Sequence, residues 1–308
     1  MMTKVNIQAE KLVGIEVTGS MLKAVCLNAD GNITGNHQSP IFRKEETAPQ
    51  LIVFIRDLTE KFGSFEKVGI AIPGLINRET KRVAYSTHFP EHEKFDLLGE
   101  LSGSAVQKIV IENDANAAAY GEFRLGAGRE SRNMFYATLG KGVGGALIFN
   151  GQIWSGAAGF AGEFGHIAIN EDGIKLEDVA SAANIVRRTR SRFHQDSTSS
   201  LGSLDEDDIG IADLVREAEN GDDFARLMLE RTGNYVGTAI AGVINLLNIE
   251  KIVIGGLIMQ AEHLVLDSIM RRARELSFPP SFGSTQILKG ELKENATTIG
   301  AALLSGNL

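Results

Sequence analysis

Cysteine is almost missing from this chain: Cys26 is the only one in 308 residues. A single thiol forms no intramolecular disulfide and cannot supply a cysteine-rich zinc site. Inside the strand-like run Leu22–Asn28 it reads as a small buried hydrophobe. Basic residues are short as well, 31 Lys and Arg against 39 Asp and Glu, for a net charge of −8. With no basic block, that balance argues against a nucleic-acid partner. The start, MMTKVNIQAEKLVGIEV, lacks a signal-peptide apolar core. The most apolar stretch, Val236–Met259, is broken by Asn245, Asn248, Glu250 and Lys251. It reads as a buried helix running into a strand, not a membrane span. These absences predict a soluble cytoplasmic protein that engages neither membrane nor nucleic acid. Proline is scarce too, at 6 residues, beside 34 glycines. A glycine excess of that size signals tight turns, or backbone that approaches a ligand closely.

The length suggests two domains, at roughly 150 residues each. Leu12–Thr18 and Leu22–Asn28 are β-rich runs joined by a turn at Gly19-Ser20, and Asp30-Gly31 closes a second turn. Thr47–Phe62 has helical spacing, with Leu51, Ile55 and Leu58 on one face. Lys67–Ile72 is an apolar run ended by Pro73-Gly74. Lys108–Glu112 is another, followed by Asn113-Asp114 and a helix-prone segment. Asn133–Leu139 and Gly145–Phe149 form a further strand pair, with Asn150-Gly151 as a hairpin-type turn. The acidic stretch Asp205–Asp208 is expected to cap a helix starting near Ile209. Lys251–Ile254 is a strand ending in Gly255-Gly256, and Ala296–Leu304 is a closing helix. LVGIEVTGSMLKAVCLNADGNI and NMFYATLGKGVGGALIFNGQI share one pattern of strand, Gly turn, strand and Asx-Gly. That suggests a duplicated hairpin opening each of two similar α/β domains.

Successive backbone N–H groups in a Gly turn can hold an anion without a charged side chain. Three such turns follow strands: Thr18-Gly19-Ser20, Gly140-Lys141-Gly142-Val143-Gly144-Gly145 and Gly255-Gly256. No G-x-x-x-x-G-K-[ST] string exists, so a P-loop is not supported, and Gly140–Gly145 does not open a helix, since ALIFN continues as strand, which argues against a Rossmann site. The repetition points to a nucleotide phosphate clamp. At the strand-to-helix junction, Asp114 is either the helix N-cap or a general base for a sugar hydroxyl in phosphoryl transfer. The neighbouring amide of Asn113 suits polyol hydroxyls. Glu163 and His166, three apart between glycines, suit two adjacent sugar hydroxyls; a structural histidine paired with Glu163 is the alternative. No cysteine or second histidine is close enough in sequence to complete a zinc site with them.

Together IENDANAAAYGE, LGKGVGGALIFNGQIWSGAAGFAGEFGH, IVIGG and TTIGAALL resemble the ROK family of repressors, open reading frames and sugar kinases, from about Leu12 to Leu304. The resemblance implies an α/β fold of the actin-like ATPase and hexokinase type, two α/β domains flanking a central cleft. Residues 1–115, completed by a C-terminal helix at 292–308, would form one domain, and residues 116–291 the larger one. It further implies that Asp114 is the catalytic base toward the sugar 6-hydroxyl. Asn113, Glu163 and His166 would be sugar ligands, with Glu177 of KLEDVAS a further one and Gly74 in the matching Pro-Gly loop. Gly19 and Ser20, Gly140, Lys141, Gly142 and Gly144, and Gly255 and Gly256 would meet ATP, and Glu16 would act on Mg²⁺, directly or through water.

Three departures stand out. The family's D-x-G-G-T is here Glu16-Val17-Thr18-Gly19-Ser20, which adds a Cβ where backbone would approach phosphate. Lys141 replaces a threonine. The zinc loop C-x-C-G-x-x-G-C-x-E, which would fix the histidine and the sugar loop, is replaced by the shorter IAINEDGIKLE, with Lys175 ahead of Glu177. The expectation is therefore a cytoplasmic, homodimeric, ATP- and Mg²⁺-dependent hexose kinase without zinc, glucokinase-like. The alternative is a sugar-binding regulatory protein that has lost phosphoryl transfer. A repressor is disfavoured by the charge and by a first strand beginning near Leu12. His88-Phe89-Pro90-Glu91 stands where glucokinase-like members have Asn-x-Pro-Gly. N-acetylmannosamine, N-acetylglucosamine, fructose, mannose and allose, and polyphosphate as donor, stay open.

Overall fold

The computed structural model describes residues 11–42, 46–77, 80, 82–86, 97–100, 106–193, 196 and 198–306. The chain divides into two compact units. The first is Met1–Leu125 with Ser155–Phe160 and Asn295–Leu308, and the second is Gly126–Trp154 with Ala161–Glu294. The first unit runs to Leu125, where the sequence reading placed its boundary at residue 115. The helix that starts at Asp114 falls within this unit to its end at Leu125, so no break falls inside it.

In the first unit β1 (Leu12–Val17), β2 (Met21–Leu27) and β3 (Ile33–Pro40) form an antiparallel meander, and α1 (Thr47–Phe62) leads to β4 (Lys67–Ile72). A short pair, β5 (Leu75–Asn77) and β6 (Arg82–Tyr85), and the one-turn α2 (Leu97–Glu100) precede β7 (Lys108–Asn113) and α3 (Asp114–Leu125). Both β4 and β7 join in parallel, giving the order β3-β2-β1-β4-β7. Strand alternation sorts the two faces. Val13, Ile15, Val17, Val68, Ile70 and Ile72 are buried in one cluster with Leu51, Phe54, Ile55 and Leu58 of α1. The intervening residues of β1 and β4 are Gly14, Glu16, Gly69 and Ala71, small or acidic.

The second unit repeats this plan. Its strands β8 (Met134–Leu139), β9 (Val143–Phe149) and β10 (Gln152–Trp154) form the meander. Helices α4 (Leu176–Ala180), α5 (Ala182–Arg190), α6 (Ile211–Glu219) and α7 (Asp223–Leu247) follow. The unit ends with β11 (Lys251–Gly255), α8 (Glu262–Leu276), α9 (Pro279–Gly283) and β12 (Gln286–Lys289). The order β10-β9-β8-β11-β12 reproduces the first sheet, antiparallel and parallel partners included. The duplicated hairpin in the sequence is thus β1–β2 and β8–β9. The expected cap at Asp205–Asp208 is not there. Those residues form a separate 3₁₀ turn, and α6 begins at Ile211, with the Asp213 carboxylate accepting the Gly210 N–H at 3.0 Å. No helix of the described residues is long and apolar enough to cross a membrane.

The chain's last helix, α10 (Ala296–Ser305), lies on the small-residue face of the first sheet and against α3. Contact is backbone to backbone. A Cβ on Gly69 would stand 1.8 Å from the Ala301 carbonyl oxygen, and one on Gly300 would stand 1.7 Å from that of Ala117. Gly14 and Gly121 are closed in the same way by Thr298 and Ala296. Ala71, Ala117 and Ala301 form the small core between these elements. Gly300→Ala is expected to cost about 3 kcal/mol or more, since neither backbone can retreat without unseating a helix. Gly242→Ala, in exposed mid-helix with open space around it, should instead stabilise by roughly 0.5–1 kcal/mol. Urea unfolding curves of the two variants check the contrast.

Candidate active site

The residues singled out in the sequence fall into two groups, one in each unit. In the first unit they collect at the C-terminal ends of parallel strands, where α/β sheets bind ligands. Glu16 is the last residue but one of β1, Pro73-Gly74 follows β4, and Asn113 ends β7 beside Ile72. Gly74 has φ +144°, and a Cβ there would meet the Tyr85 carbonyl at 2.5 Å, so only glycine fits. Its own carbonyl accepts a hydrogen bond from Asn113 Nδ2 at 2.9 Å, while Ser86 Oγ donates to the Pro73 carbonyl at 2.8 Å. Asn113 and Gly74 are therefore brought together.

Asn113 also resolves the question of the cap. Its Oδ1 accepts the N–H of Asn116 at 3.0 Å, the third residue of α3, which is the N-cap bond. Glu112 steadies the junction, with Oε1 accepting from the Asn113 N–H and from Asn116 Nδ2, both at 3.0 Å. Asp114 is the first residue of the helix, and its Oδ1 accepts the Ala115 N–H at 2.9 Å. The capping duty falls on Asn113, and the Asp114 carboxylate sits at the positive end of the helix dipole.

Glu16 shares this region. Burial raises its pKa above the ordinary value. Asp114 pushes it the same way, while Lys23 and the Thr297 hydroxyl of α10 pull it down. Its Oε2 is buried without a hydrogen-bond partner, since Lys23 Nζ stands 3.7 Å off, an ion pair but not a hydrogen bond. A hard cation such as Mg²⁺ takes one or two carboxylates and completes its shell with water and phosphate oxygens. The unpartnered oxygen beside a second carboxylate fits that role. Lys23 and Thr297 were not picked out in the sequence. Lys23 was findable, because Glu16 and Lys23 are paired across the predicted hairpin; the approach of Thr297 needs the docking of α10.

The Thr18-Gly19-Ser20 turn is closed by its own side chain. Thr18 Oγ1 accepts the N–H of Met21 at 2.9 Å and that of Ser20 at 3.3 Å. The extra Cβ thus brings a hydroxyl that engages two N–H groups of a turn read from sequence as a phosphate clamp.

In the second unit the Gly turns again end strands. Gly140–Gly142 links β8 to β9, tightened by the Gly140 N–H donating to the Gly142 carbonyl at 2.9 Å, with Lys141 exposed. Gly144 lies at the start of β9, paired with Thr138. Glu177 bonds to this turn: its Oε2 accepts the Val143 N–H at 2.8 Å, and a Cβ on Gly142 would strike the same oxygen. Gly255 ends β11 beside β8, and the next residue, Gly256, rests on the backbone of Leu139.

Glu163 and His166 flank a 3₁₀ turn, Phe164–His166. Phe164 is 2% exposed and packs edge-on against Phe135, with centroids 5.0 Å apart. That anchor leaves Glu163 and His166 more than half exposed, with Glu163 Oε2 4.0 Å from His166 Nε2. On its other side, His166 Nδ1 is 3.2 Å from Lys175 Nζ. Zinc does not fit here. Among the described residues no three His, Cys, Asp or Glu side chains cluster, Cys26 is buried in β2, and an ammonium already faces Nδ1. The His88–Glu91 segment lies outside the described residues.

The model described as "ROK family" matches residues 12–307. A glucokinase from Halalkalibacterium halodurans is 31% identical over 95% of this chain and 94% of its own length. A xylose repressor from Bacillus spizizenii is 27% identical over 96% of this chain and 77% of its own. Among solved structures, a ROK family glucokinase from Streptomyces griseus in complex with glucose and AMPPNP superposes with a TM-score of 0.83 at 25% identity, over 97% of this chain and all of that one.

Glu16→Gln should raise the melting temperature near neutral pH by a few degrees. Its carboxyl has a raised pKa in the fold, so protein stability is lost as pH rises through that value and the carboxylate becomes charged. Glutamine carries no such penalty. The gain should vanish as pH falls toward 4.5, the ordinary glutamate value. A melting-temperature series against pH reads it; a lower value for the variant at pH 7 would contradict the assignment.

Proposed function

This chain belongs to the ROK family and has the actin-like ATPase and hexokinase-type fold, and we propose that it is an ATP-dependent kinase acting on the 6-hydroxyl of glucose. The observation that carries the reading is the division of labour at the β7–α3 junction. Asn113 caps the helix, so Asp114 is held in place without having to serve as the cap. The glucokinase relative, alike along nearly its full length, supports the choice of sugar, and the glucokinase structure with glucose and AMPPNP supports that of the donor.

In this mechanism Asp114 accepts the proton of the attacking hydroxyl. The oxygen forms its bond to the γ-phosphorus as the bridge to the β-phosphate breaks and ADP departs. Little covalent chemistry is asked of the protein, so positioning and charge dominate. Asn113, Glu163 and His166 orient sugar hydroxyls, with Gly74 in the supporting loop and Glu177 acting by way of the turn it bonds. The turns at Gly19-Ser20, Gly140–Gly144 and Gly255-Gly256 cradle the nucleotide, and Lys141 extends toward its phosphates. Glu16 would hold Mg²⁺, which would supply positive charge against the developing negative charge on the phosphate. By family membership we extend the proposal to a cytoplasmic homodimer in hexose metabolism.

One observation favours a second reading, sugar binding without phosphoryl transfer: the Thr18 hydroxyl already engages turn N–H groups that would meet phosphate. A coupled ADP-release assay separates the two, run over glucose, mannose, fructose and the N-acetylhexosamines, with Asp114→Asn beside wild type. Wild type should release ADP in response to glucose. The variant should lose about 100-fold or more in kcat, the range for a general base, with the glucose KM within a few-fold. A wild type that binds glucose yet releases no ADP would leave the second reading standing. Near-full activity in Asp114→Asn would make that residue structural.

A further inference from the structure

We propose that Lys175 is a positioning residue that sets the tautomer of His166 and so turns His166 and Glu163 into a donor–acceptor clamp for one substrate hydroxyl. The evidence for the tautomer is chemical. An ammonium has three N–H groups and no lone pair, so at 3.2 Å from Nδ1 it can only donate. Nδ1 must then present its lone pair, and the proton of the neutral ring resides on Nε2.

Lys175 is built to hold that position. Residues 167–176 fold back as a narrow hairpin. The Ile169 N–H donates to the Ile174 carbonyl and the Leu176 N–H to the Ile167 carbonyl, both at 2.9 Å, with Ala168 and Lys175 bridged between them. The Lys175 N–H is tied to Asp178 Oδ2 at 3.0 Å, and Leu176 beside it is fully buried. His166 is fixed from its own side by buried Phe164. Both partners of the bond therefore rest on anchored backbone, although the side chains themselves are exposed.

The consequence appears at the other ring nitrogen. Nε2 and Glu163 Oε2 are 4.0 Å apart, too far to bond each other. One hydroxyl oxygen at about 2.8 Å from each would accept from Nε2–H and donate to the carboxylate. With the proton on Nδ1 instead, both protein atoms would be acceptors, and a single hydroxyl could satisfy only one. Lys175 thereby does by hydrogen bonding what a metal on Nδ1 would do by coordination. This accounts for a sequence that keeps the histidine and lacks cysteines around it.

The identity of the hydroxyl's owner rests on the kinase reading; the tautomer does not, and the experiment separates them. Full-length protein carrying ¹⁵N-histidine is compared as wild type, Lys175→Met and Lys175→Arg by NMR, and each is assayed with glucose and ATP. Wild-type His166 should show an unprotonated Nδ1 and a protonated Nε2. Lys175→Met should lose that preference and raise the glucose KM about tenfold, with the ATP KM unchanged within twofold, and Lys175→Arg, again a pure donor, should restore both. A wild-type ring protonated on Nδ1, stoichiometric zinc on His166, or a methionine variant with unaltered tautomer would each overturn the proposal. A wild type inactive on every sugar would defeat the kinase reading alone, because the ring is read without turnover.

Discussion

The last helix lies on the first sheet with backbone against backbone, and the placing of Glu16, Thr297 and Asp114 follows from that contact. Side chains on β1 and β4 alternate, so one face is filled by Val13, Ile15, Val68 and Ile70 and the other is left to Gly14 and Gly69. At Gly14 and Gly69 only the lack of a Cβ admits a helix so closely. Glu16 is on that second face. It is therefore half-buried next to α10, where burial raises its pKa and leaves one oxygen without a hydrogen-bond partner. Gly300 and Gly121 lock α3 to the same helix, and α3 carries Asp114 at its first residue.

The second unit reaches its arrangement by another route. Its glycines at 145, 162 and 165 let the segment with Glu163 and His166 lie directly on β9; Gly162, at φ +103°, stands against the Gly145 carbonyl. Hydrogen bonds from side chains do the rest. Glu177 ties α4 to the Val143 end of the glycine turn, and Lys175, two residues earlier, reaches His166. One short stretch thus couples the turn read as phosphate-binding to the pair read as sugar-binding.

Much of the fold was legible because it rests on periodicity. Thr47–Phe62 has the same limits in sequence and structure, and the repeated hairpin proved to be the repeated sheet order. β3 was not legible, since ITGNHQSP is a polar, largely exposed edge strand without an apolar alternation. Asp205–Asp208 misled because acidic residues before a helix resemble a cap, whereas Asp213 inside the helix supplies the bond. The glycine excess was understood only in part. Turns were visible, but Gly14, Gly69 and Gly121 serve a helix far away in sequence, as Gly300 of that helix serves α3, and no local pattern announces that. At the candidate site, residue types could be named, yet the cap on Asn113, the Thr18 hydroxyl on its own turn and the Lys175–His166 bond depend on side-chain direction.

The proposed mechanism rests on Asp114 as the group that takes the proton. A crystal structure with glucose and a non-hydrolysable ATP analogue tests that most directly. The account predicts the glucose 6-hydroxyl within about 2.6–3.2 Å of an Asp114 carboxylate oxygen, with Asn113 still capping α3. A 6-hydroxyl held by another base, with Asp114 turned back onto the helix, would contradict it.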